Sequence, residues 1–338
     1  MSNMRLELKN FFFIREATLE SKNNLIVLLA PNRCGKTHIL KLLYSIYWSF
    51  WKCMKDREDF KRVFPVKAKK VFLIKDLKEF VTWGKEAFFI GFENHIGKCT
   101  VQGSLTKGIQ IKSDLNSQFY IEKSPVYIYV PGLGDFYRGI FSIKKYYPNW
   151  NIVSEAITDF IEDLVIVSDL SEQEVNKEYR EILKKIEESF QVKFYVQNKK
   201  INISEQNKTY SLEKTASGLK TIAWLYLLLK YQLVGEFLLI DEPENSLHPE
   251  YITKLTEILF YLSKLTKIVI ATHSDYFLES LNFLIKKYEL KVDVWYAEYE
   301  KEGVVYRFYE ATQERLIDSS PLTKTFLKLV REIYGRKN

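Results

Sequence analysis

Residues 25–37 read Leu-Ile-Val-Leu-Leu-Ala-Pro-Asn-Arg-Cys-Gly-Lys-Thr. Five consecutive apolar residues at the start of this stretch predict a buried strand. A turn is expected after Ala30, because proline, asparagine and glycine cluster before Lys36. Apolar residues then recur at helical spacing over residues 38–44. The stretch therefore predicts a strand, a tight loop and a helix in succession.

A loop of this composition between a strand and a helix predicts a phosphate-binding site. Backbone N–H groups and the helix N-terminus would cradle nucleotide phosphates, with Lys36 on the β and γ phosphates and the Thr37 hydroxyl on Mg²⁺. The first glycine of the usual G-x-x-x-x-G-K-[ST] pattern is Ala30, which the turn tolerates if φ stays negative. A chance Gly-Lys-Thr at a helix start is the alternative. The predicted nucleotide-binding residues are Asn32, Arg33, Cys34, Gly35, Lys36, Thr37 and His38.

The composition of the chain is that of a globular protein. Of 338 residues, 46% are hydrophobic and 28% charged, and the net charge is +7, which argues against wholesale disorder. The three cysteines show no metal-ligand spacing, which favours a reducing compartment. Charged residues within 1–10 argue against a signal peptide, and the apolar run 39–51 is shorter than the roughly 20 residues that span a bilayer. We expect a cytoplasmic protein that does not bind membranes.

Around the phosphate loop, alternation over residues 4–20 predicts two short strands that form a hairpin beside the phosphate-loop strand. The helix that begins at Lys36 is expected to continue to about Lys52. The block Lys52–Lys70 contains eight Lys or Arg and three Asp or Glu. A solvated helix face is one interpretation of this block, and a surface for nucleic acid or a protein partner is the other.

Further along the chain, five segments of period two predict an antiparallel meander. These segments are 71–74, 87–92, 108–111, 118–121 and 126–130. Helical periodicity follows over Ile152–Gln191, and short strands are expected over Val192–Ser211. Near the end, residues 291–309 predict a hairpin and Leu322–Tyr334 a helix.

A second half of the site is predicted at the end of a buried strand within Leu233–Glu242. An apolar run ending in Asp241 and Glu242 has the Walker B form. Asp241 would hold Mg²⁺, mainly through water, because this ion prefers carboxylates and keeps part of its hydration. Glu242 would deprotonate the attacking water as a general base.

The residues Asp-Glu-Pro-Glu-Asn-Ser-Leu-His-Pro at 241–249 resemble the Walker B and D-loop of ABC-type ATPases in the SMC, RecF and OLD-nuclease branch. Thr-Ala-Ser-Gly-Leu-Lys at 215–220 resembles the signature motif of that group, and the strand 267–272 ends at His273, as in its switch motif. The signature lacks the second glycine of transporter domains. The glutamine of the Q-loop is not evident, and Gln118 is the candidate for it.

The resemblance implies an α/β P-loop NTPase fold of the ABC/SMC-head kind, a mixed sheet with an antiparallel β-meander and a helical insertion. It implies an N-terminal ATPase lobe over 1–150, an insertion over 151–212 and a C-terminal lobe over 213–338.

It also implies that two ATP molecules are sandwiched in a head-to-tail homodimer. Ser217 and Gly218 of one chain would bind the γ-phosphate held by the other. His273 would act on the γ-phosphate or the water, and Ser246 and His248 would lie at the interface. As isolated features, Ser217-Gly218 would be a plain helix cap and His273 a polar strand end.

Three functions remain open on this basis. The first is a Mg²⁺-dependent ATPase whose dimerisation gates DNA or a separate nuclease partner, in defence or in DNA repair; stand-alone chains of this shape resemble the ATPase subunits of Septu-type defence systems. The second is a RecF-like clamp in which ATP controls DNA binding and turnover is incidental. A transporter subunit is the third.

Overall fold

The computed structural model of the chain describes residues 3–129, 146–147, 152–167, 174–197, 200–205, 208–215, 217–319 and 332. The strands, in chain order, are β1 (Met4–Phe11), β2 (Ile14–Ser21), β3 (Leu25–Leu29), β4 (Ala87–Glu93), β5 (Gly97–Ser104), β6 (Gly108–Leu115), β7 (Val126–Tyr129), β8 (Val192–Gln197), β9 (Lys200–Glu205), β10 (Lys208–Ser211), β11 (Phe237–Asp241), β12 (Lys267–Thr272), β13 (Val292–Glu300) and β14 (Gly303–Ala311). The helices are α1 (Lys36–Asp56), α2 (Phe60–Phe72), α3 (Glu155–Val167), α4 (Lys177–Phe190), α5 (Ser217–Lys230), α6 (Pro249–Leu262) and α7 (Asp275–Tyr288). Among the described residues, no helix is both long and apolar enough to cross a bilayer.

An eleven-stranded mixed sheet organises the fold, in the order β6-β5-β4-β1-β2-β14-β13-β3-β12-β11-β7. The strands β13, β3, β12, β11 and β7 are mutually parallel. The strands β6, β5, β4, β1 and β2 are antiparallel to their neighbours within that group. A separate antiparallel sheet, β10-β9-β8, packs against α4 and α5. The predicted mixed sheet, meander and helices before β8 are therefore confirmed.

Strand burial explains where the core lies. Every residue of β3, β11 and β12 is buried, because strands covered on both faces need apolar side chains on both. Helix α1 packs against β11 and β12 and lies beside α2. In a parallel group all carboxyl ends meet at one edge, so β3, β11 and β12 deliver their following residues to one place.

The position predicted for the N-terminal hairpin is wrong. β1 and β2 do form a hairpin, but β13 and β14 lie between β2 and β3. β14 pairs with β2 and β13 pairs with β3, both in parallel. The strand that lies beside β3 on this side is therefore β13, from a distant part of the chain, and not β2 as predicted.

Three of the five predicted meander segments are also wrong as meander strands. Residues 71–74 lie at the C-terminal end of α2. The buried residues Phe64, Ala68 and Val71 of this helix recur at helical spacing. Residues 118–121 form no strand, and the Phe119 ring instead lies 5.0 Å from that of His95. β7 joins the parallel group beside β11. The true middle strand of the meander is β5, which was not predicted.

Helix α1 extends to Asp56, four residues beyond the predicted end. The predicted helical stretch Ile152–Gln191 contains α3 and α4, and the C-terminal hairpin is confirmed as β13–β14. The expected helix Leu322–Tyr334 lies outside the described residues.

The basic block Lys52–Lys70 does not present all its charge to solvent. Lys67 is 2% exposed and forms ion pairs with Glu155 and Asp159 of α3. Lys70 pairs with Glu155 as well, at 3.2 Å. These contacts join α2 to α3, so for Lys67 neither a solvated face nor a nucleic-acid surface describes its surroundings.

Candidate functional site

The predicted phosphate loop connects the carboxyl end of β3 to the N-terminus of α1. Gly35 precedes the helix with φ of 86°, in the left-handed region that glycine adopts without a steric penalty. Ala30 is 1% exposed and is not among the residues with positive φ. The negative φ required for an alanine at this position is therefore present.

Side chains within the loop point in different directions. Asn32 and Arg33 are exposed, whereas Cys34 is buried. The Asn32 carbonyl accepts a hydrogen bond of 2.9 Å from the hydroxyl of Tyr299, at the end of β13. This hydrogen bond attaches the phosphate loop to β13, which flanks β3 on the side opposite to β12.

The ring of His38 packs among the rings of three phenylalanines. Its ring lies 4.6 Å from Phe12, 5.6 Å from Phe13 and 6.0 Å from Phe72 between centroids. Burial lowers the pKa of His38 to about 4. The imidazole is therefore neutral at physiological pH, and a role in phosphate binding would fall to the backbone N–H of this residue.

Lys36 is 7% exposed and lies within the curve of the loop. Its Nζ donates to the carbonyl of Ala30 at 2.6 Å and to that of Pro31 at 3.3 Å. Burial lowers the pKa of Lys36, while the nearby carboxylates of Glu242 and Asp241 oppose this effect. A desolvated ammonium held by loop carbonyls is suited to an anion bound at the same loop.

Asp241 and Thr37 come together where β11 and α1 meet. The Thr37 hydroxyl donates to Asp241 Oδ2 at 2.8 Å, and the Tyr127 hydroxyl donates to the same oxygen at 3.1 Å. Asp241 is 2% exposed. Burial raises its pKa, and the two hydrogen bonds act against that rise. Two sequence-predicted metal ligands 204 positions apart are thus in direct contact.

A hydroxyl beside a carboxylate is a ligand pair that fits Mg²⁺, which prefers oxygen ligands and binds through few protein groups plus nucleotide phosphates. Within the described part of the chain, no group of three or more His, Cys, Asp or Glu side chains could hold a metal.

Glu242 follows β11 in a left-handed backbone conformation, with φ of 54°. Its N–H donates to the Ala271 carbonyl at 2.9 Å, and its Oε1 lies 3.2 Å from Nδ1 of His273. The acidic end of β11 and the histidine after β12 are therefore neighbours. An acid beside an imidazole can orient a water molecule and accept its proton.

Glu244 connects the same two strand ends. It is 7% exposed, and its Oε1 accepts from the Thr272 hydroxyl at 2.6 Å and from the His273 N–H at 3.3 Å. Burial raises the pKa of Glu244, and these donors oppose the rise. The sequence motif contains Glu244, but its role in fixing the backbone of His273 was not predicted.

The signature residues lie elsewhere. Helix α5 begins at Ser217, whose side chain is outside the description. A Cβ on Gly218 would approach the Ser246 carbonyl oxygen to 2.6 Å, so only glycine allows this close contact with the D-loop. Among the described residues, no hydrogen bond joins Gly218 to the phosphate loop.

Ser246 and His248 are exposed. The Ser246 hydroxyl bonds to Asn245 Oδ1 at 3.2 Å, and Nδ1 of His248 accepts from the Glu250 N–H at the start of α6. The candidate Q-loop residue Gln118 is exposed in an irregular segment. Among the described residues, none of these three side chains has a hydrogen bond to Asp241 or Glu242.

Solved structures of SMC heads resemble the chain over nearly its whole length. The SMC head domain from Thermotoga maritima matches with a TM-score of 0.53 and 14% identity, covering 92% of this chain and 100% of that one. The Smc head domain with an extended coiled coil bound to the C-terminal domain of ScpA, derived from Pyrococcus furiosus, gives 0.53 and 11%, covering 98% and 100%. An SmcHead bound to the C-winged helix domain of ScpA gives 0.56 and 9%, covering 92% and 97%. At such identities the likeness concerns the fold.

The chain therefore has a P-loop NTPase fold of the SMC-head kind. Residues 143–279 match the family described as "AAA domain, putative AbiEii toxin, Type IV TA system". The matched range contains Ser217, Asp241, Glu242 and His273 but not the phosphate loop. No curated protein matches the sequence.

Proposed function

We propose that the protein binds and hydrolyses ATP with Mg²⁺, and that ATP joins two copies head to tail in a dimer that controls a separate protein partner. The observation that carries the proposal is the convergence of Thr37, Asp241, Glu242 and His273 at the carboxyl ends of adjacent parallel strands. Three chemically distinct requirements of phosphoryl transfer, namely a metal site, a base and a phosphate-binding loop, have candidates within this group.

In the proposed reaction, Asn32–His38 bind the phosphates through backbone N–H groups, and Lys36 pairs with the β and γ phosphates. Magnesium held by Thr37 and Asp241 would neutralise phosphate charge. Glu242 accepts a proton from water as the water oxygen bonds to the γ-phosphorus and the bond to the bridging oxygen breaks, so ADP leaves with that oxygen. His273, 3.2 Å from Glu242, orients the carboxylate or the departing phosphate.

Dimerisation is proposed because no hydrogen bond among the described residues joins Gly218 to the phosphate loop of its own chain. Ser217 and Gly218 begin a helix, whose N-terminus favours anions, yet Gly218 packs on the D-loop of its own chain. Ser246 and His248 are exposed beside it, as an interface would require. The ATP held by a second copy is the anion that fits.

A separate partner is proposed by analogy. Two of the similar SMC heads are bound to parts of ScpA, and a nuclease is the partner that the sequence resemblance suggests for this chain. DNA binding, if present, would use exposed members of the basic block such as Lys55, Lys61 and Arg62. Turnover measured with and without DNA separates a DNA-gated ATPase from a clamp in which turnover is incidental.

The test is Glu242→Gln, which keeps the side-chain shape but cannot accept the proton. ATP binding should persist, hydrolysis should fall by roughly 10²–10⁴-fold, and light scattering with ATP should show a dimer. Adding Ser217→Arg should return the protein to monomer. Glu250→Gln, on an exposed glutamate paired with Lys254, is the matched control and should behave as wild type.

A Glu242→Gln protein that binds ATP yet stays monomeric contradicts the dimer. Hydrolysis that continues at the wild-type rate contradicts the role of Glu242.

A further inference from the structure

We propose that Tyr127 is a positioning residue that fixes the Asp241 carboxylate for metal binding, an inference that rests on the proposed function. Tyr127 lies on β7, the edge strand of the parallel group, and is 1% exposed. Its hydroxyl donates to Asp241 Oδ2 at 3.1 Å. The bond crosses from one strand to the next at the carboxyl edge of the sheet.

The register of the two strands accounts for this contact. Tyr127 lies opposite Leu239, and Asp241 lies opposite Tyr129. Leu239 and Asp241 are two residues apart and so project from the same face of β11. Tyr127 projects from that face of β7, and its long side chain spans the diagonal to Asp241, a reach that cross-strand aromatic residues have.

The hydrogen bond has a specific role because Asp241 is buried. A buried carboxylate needs donors to hold its charge, because an ionised group left without them costs far more than the roughly 2–7 kcal/mol of an unbonded neutral polar group. Oδ2 receives two donors, Thr37 and Tyr127. Thr37 belongs to the phosphate loop and is itself a candidate metal ligand. Tyr127 has no such second role, so it holds the carboxylate independently of the loop.

The Tyr127 ring is in turn held by its surroundings. It lies 6.0 Å from the ring of Tyr44 on α1, at 60°. The Tyr44 hydroxyl donates to Asp159 of α3 at 2.5 Å, and Asp159 pairs with the buried Lys67. The donor to Asp241 is therefore fixed by packing on two helices, which is what accurate placement of a ligand oxygen requires.

Partners that orient a metal ligand typically change metal affinity by about 10–100-fold when they are removed. Tyr127→Phe keeps the ring and removes only the donor. We therefore expect the nucleotide affinity measured with Mg²⁺ to fall by about 10-fold or more, and the affinity measured without metal to stay within about twofold.

The experiment measures binding of a non-hydrolysable ATP analogue by calorimetry, once with EDTA and once with Mg²⁺, and takes the ratio of the two affinities. Tyr179→Phe is the matched control. Tyr179 is also buried, and its hydroxyl donates one bond of the same 3.1 Å, to the carbonyl of Val234 before β11. Its removal should cost similar thermal stability and leave the ratio unchanged.

The ratio for Tyr127→Phe decides the inference. A ratio within about twofold of the wild type overturns it. An equal loss of affinity with and without Mg²⁺ also overturns it, because the tyrosine would then support only the shape of the pocket. Wild-type protein that binds no analogue overturns the proposed function itself, so the two failures are seen in different samples.

Discussion

The two halves of the main sheet differ in how their strands are covered. In the parallel half, β3, β11 and β12 are buried at every residue. In the antiparallel half, β1 and β5 alternate between buried and more exposed positions, and β6 has no buried residue. The first half is enclosed on both faces, and the second is partly open to water.

The candidate site residues that directly follow strands lie in the parallel half of the sheet, which is the more fully covered half. The parallel strands β3, β11 and β12 bring Ala30, Glu242 and His273 to one edge of the sheet, because each residue directly follows one of these strands. A shift of such a strand would move its apolar side chains out of the core. The antiparallel half contacts this cluster through the turn at Phe12 and Phe13, which packs on His38. Changes at the two halves should therefore differ in kind.

The largest expected effect is on nucleotide binding. Lys36→Ala removes a buried ammonium from the phosphate loop, and losing one partner of such a charge pair costs about 2–5 kcal/mol, roughly 30-fold or more in affinity. Calorimetry with ATP and Mg²⁺ measures the loss. Lys9→Ala, on an exposed position of β1, removes the same charge from the antiparallel half and should leave affinity unchanged. Equal affinities for the two variants would contradict the phosphate-loop assignment.

A second test uses a buried charged residue of the parallel half, Lys267. Lys267 begins β12, is 7% exposed and bonds to Ser21 Oγ and the Asn23 carbonyl. Burial lowers its pKa from 10.5 to about 8. Between these values the unfolded chain binds more protons than the folded one, so the contribution of Lys267 to stability rises with pH from 8 to 10.5, by about 3 kcal/mol.

Urea unfolding of wild type and Lys267→Met at several pH values measures this difference. The wild type should gain stability relative to the variant as pH rises through that window, and the difference should be constant below pH 7. A flat difference across the whole range would show that the amine is solvated in the folded protein.

The smallest effect compares two substitutions of nearly equal shape made in opposite directions. Val269→Thr places a hydroxyl in β12 between Ile26 and Leu239 and should cost about 1–3 kcal/mol. Thr100→Val, on the partly exposed face of β5, should change stability by less than about 0.5 kcal/mol. Denaturant midpoints measure both. Similar costs at the two positions would mean that the halves do not differ in coverage as their burial indicates.

The same comparison explains which parts of the fold could be predicted from sequence. Runs of four or five consecutive apolar residues predicted β3, β11 and β12 as buried strands. The antiparallel half gave weaker signals. β5 carries Gly97 and Gly103 and was missed, while the end of α2 imitates a strand because Val71, Phe72 and Ile74 are apolar. The β13–β14 hairpin was predicted, but its position beside β3 was not, because pairing between distant segments leaves no local pattern.

The candidate site follows the same division. Lys36, Thr37, Asp241 and His273 were predicted because each lies in a short motif of consecutive residues, either the Gly-Lys-Thr loop or the end of an apolar run. Tyr127 was missed because its partner lies 114 positions away, and its own segment is an ordinary alternation of tyrosine with aliphatic residues. The burial of Lys67 was missed for the same reason, since Glu155 and Asp159 lie in another element.

The insertion of β13 and β14 between β2 and β3 has a consequence for how the chain reaches its native state. During synthesis, residues 14–29 leave the ribosome long before residues 292–311 exist. Until then, β2 and β3 each have an open edge where the late hairpin will bind. Joining them requires closure of a loop of more than 250 residues, a slow step with exposed strand edges. The β13–β14 hairpin therefore joins the sheet late in synthesis. A chain interrupted before residue 292 would lack β13, one of the two strands that flank β3 and its phosphate loop.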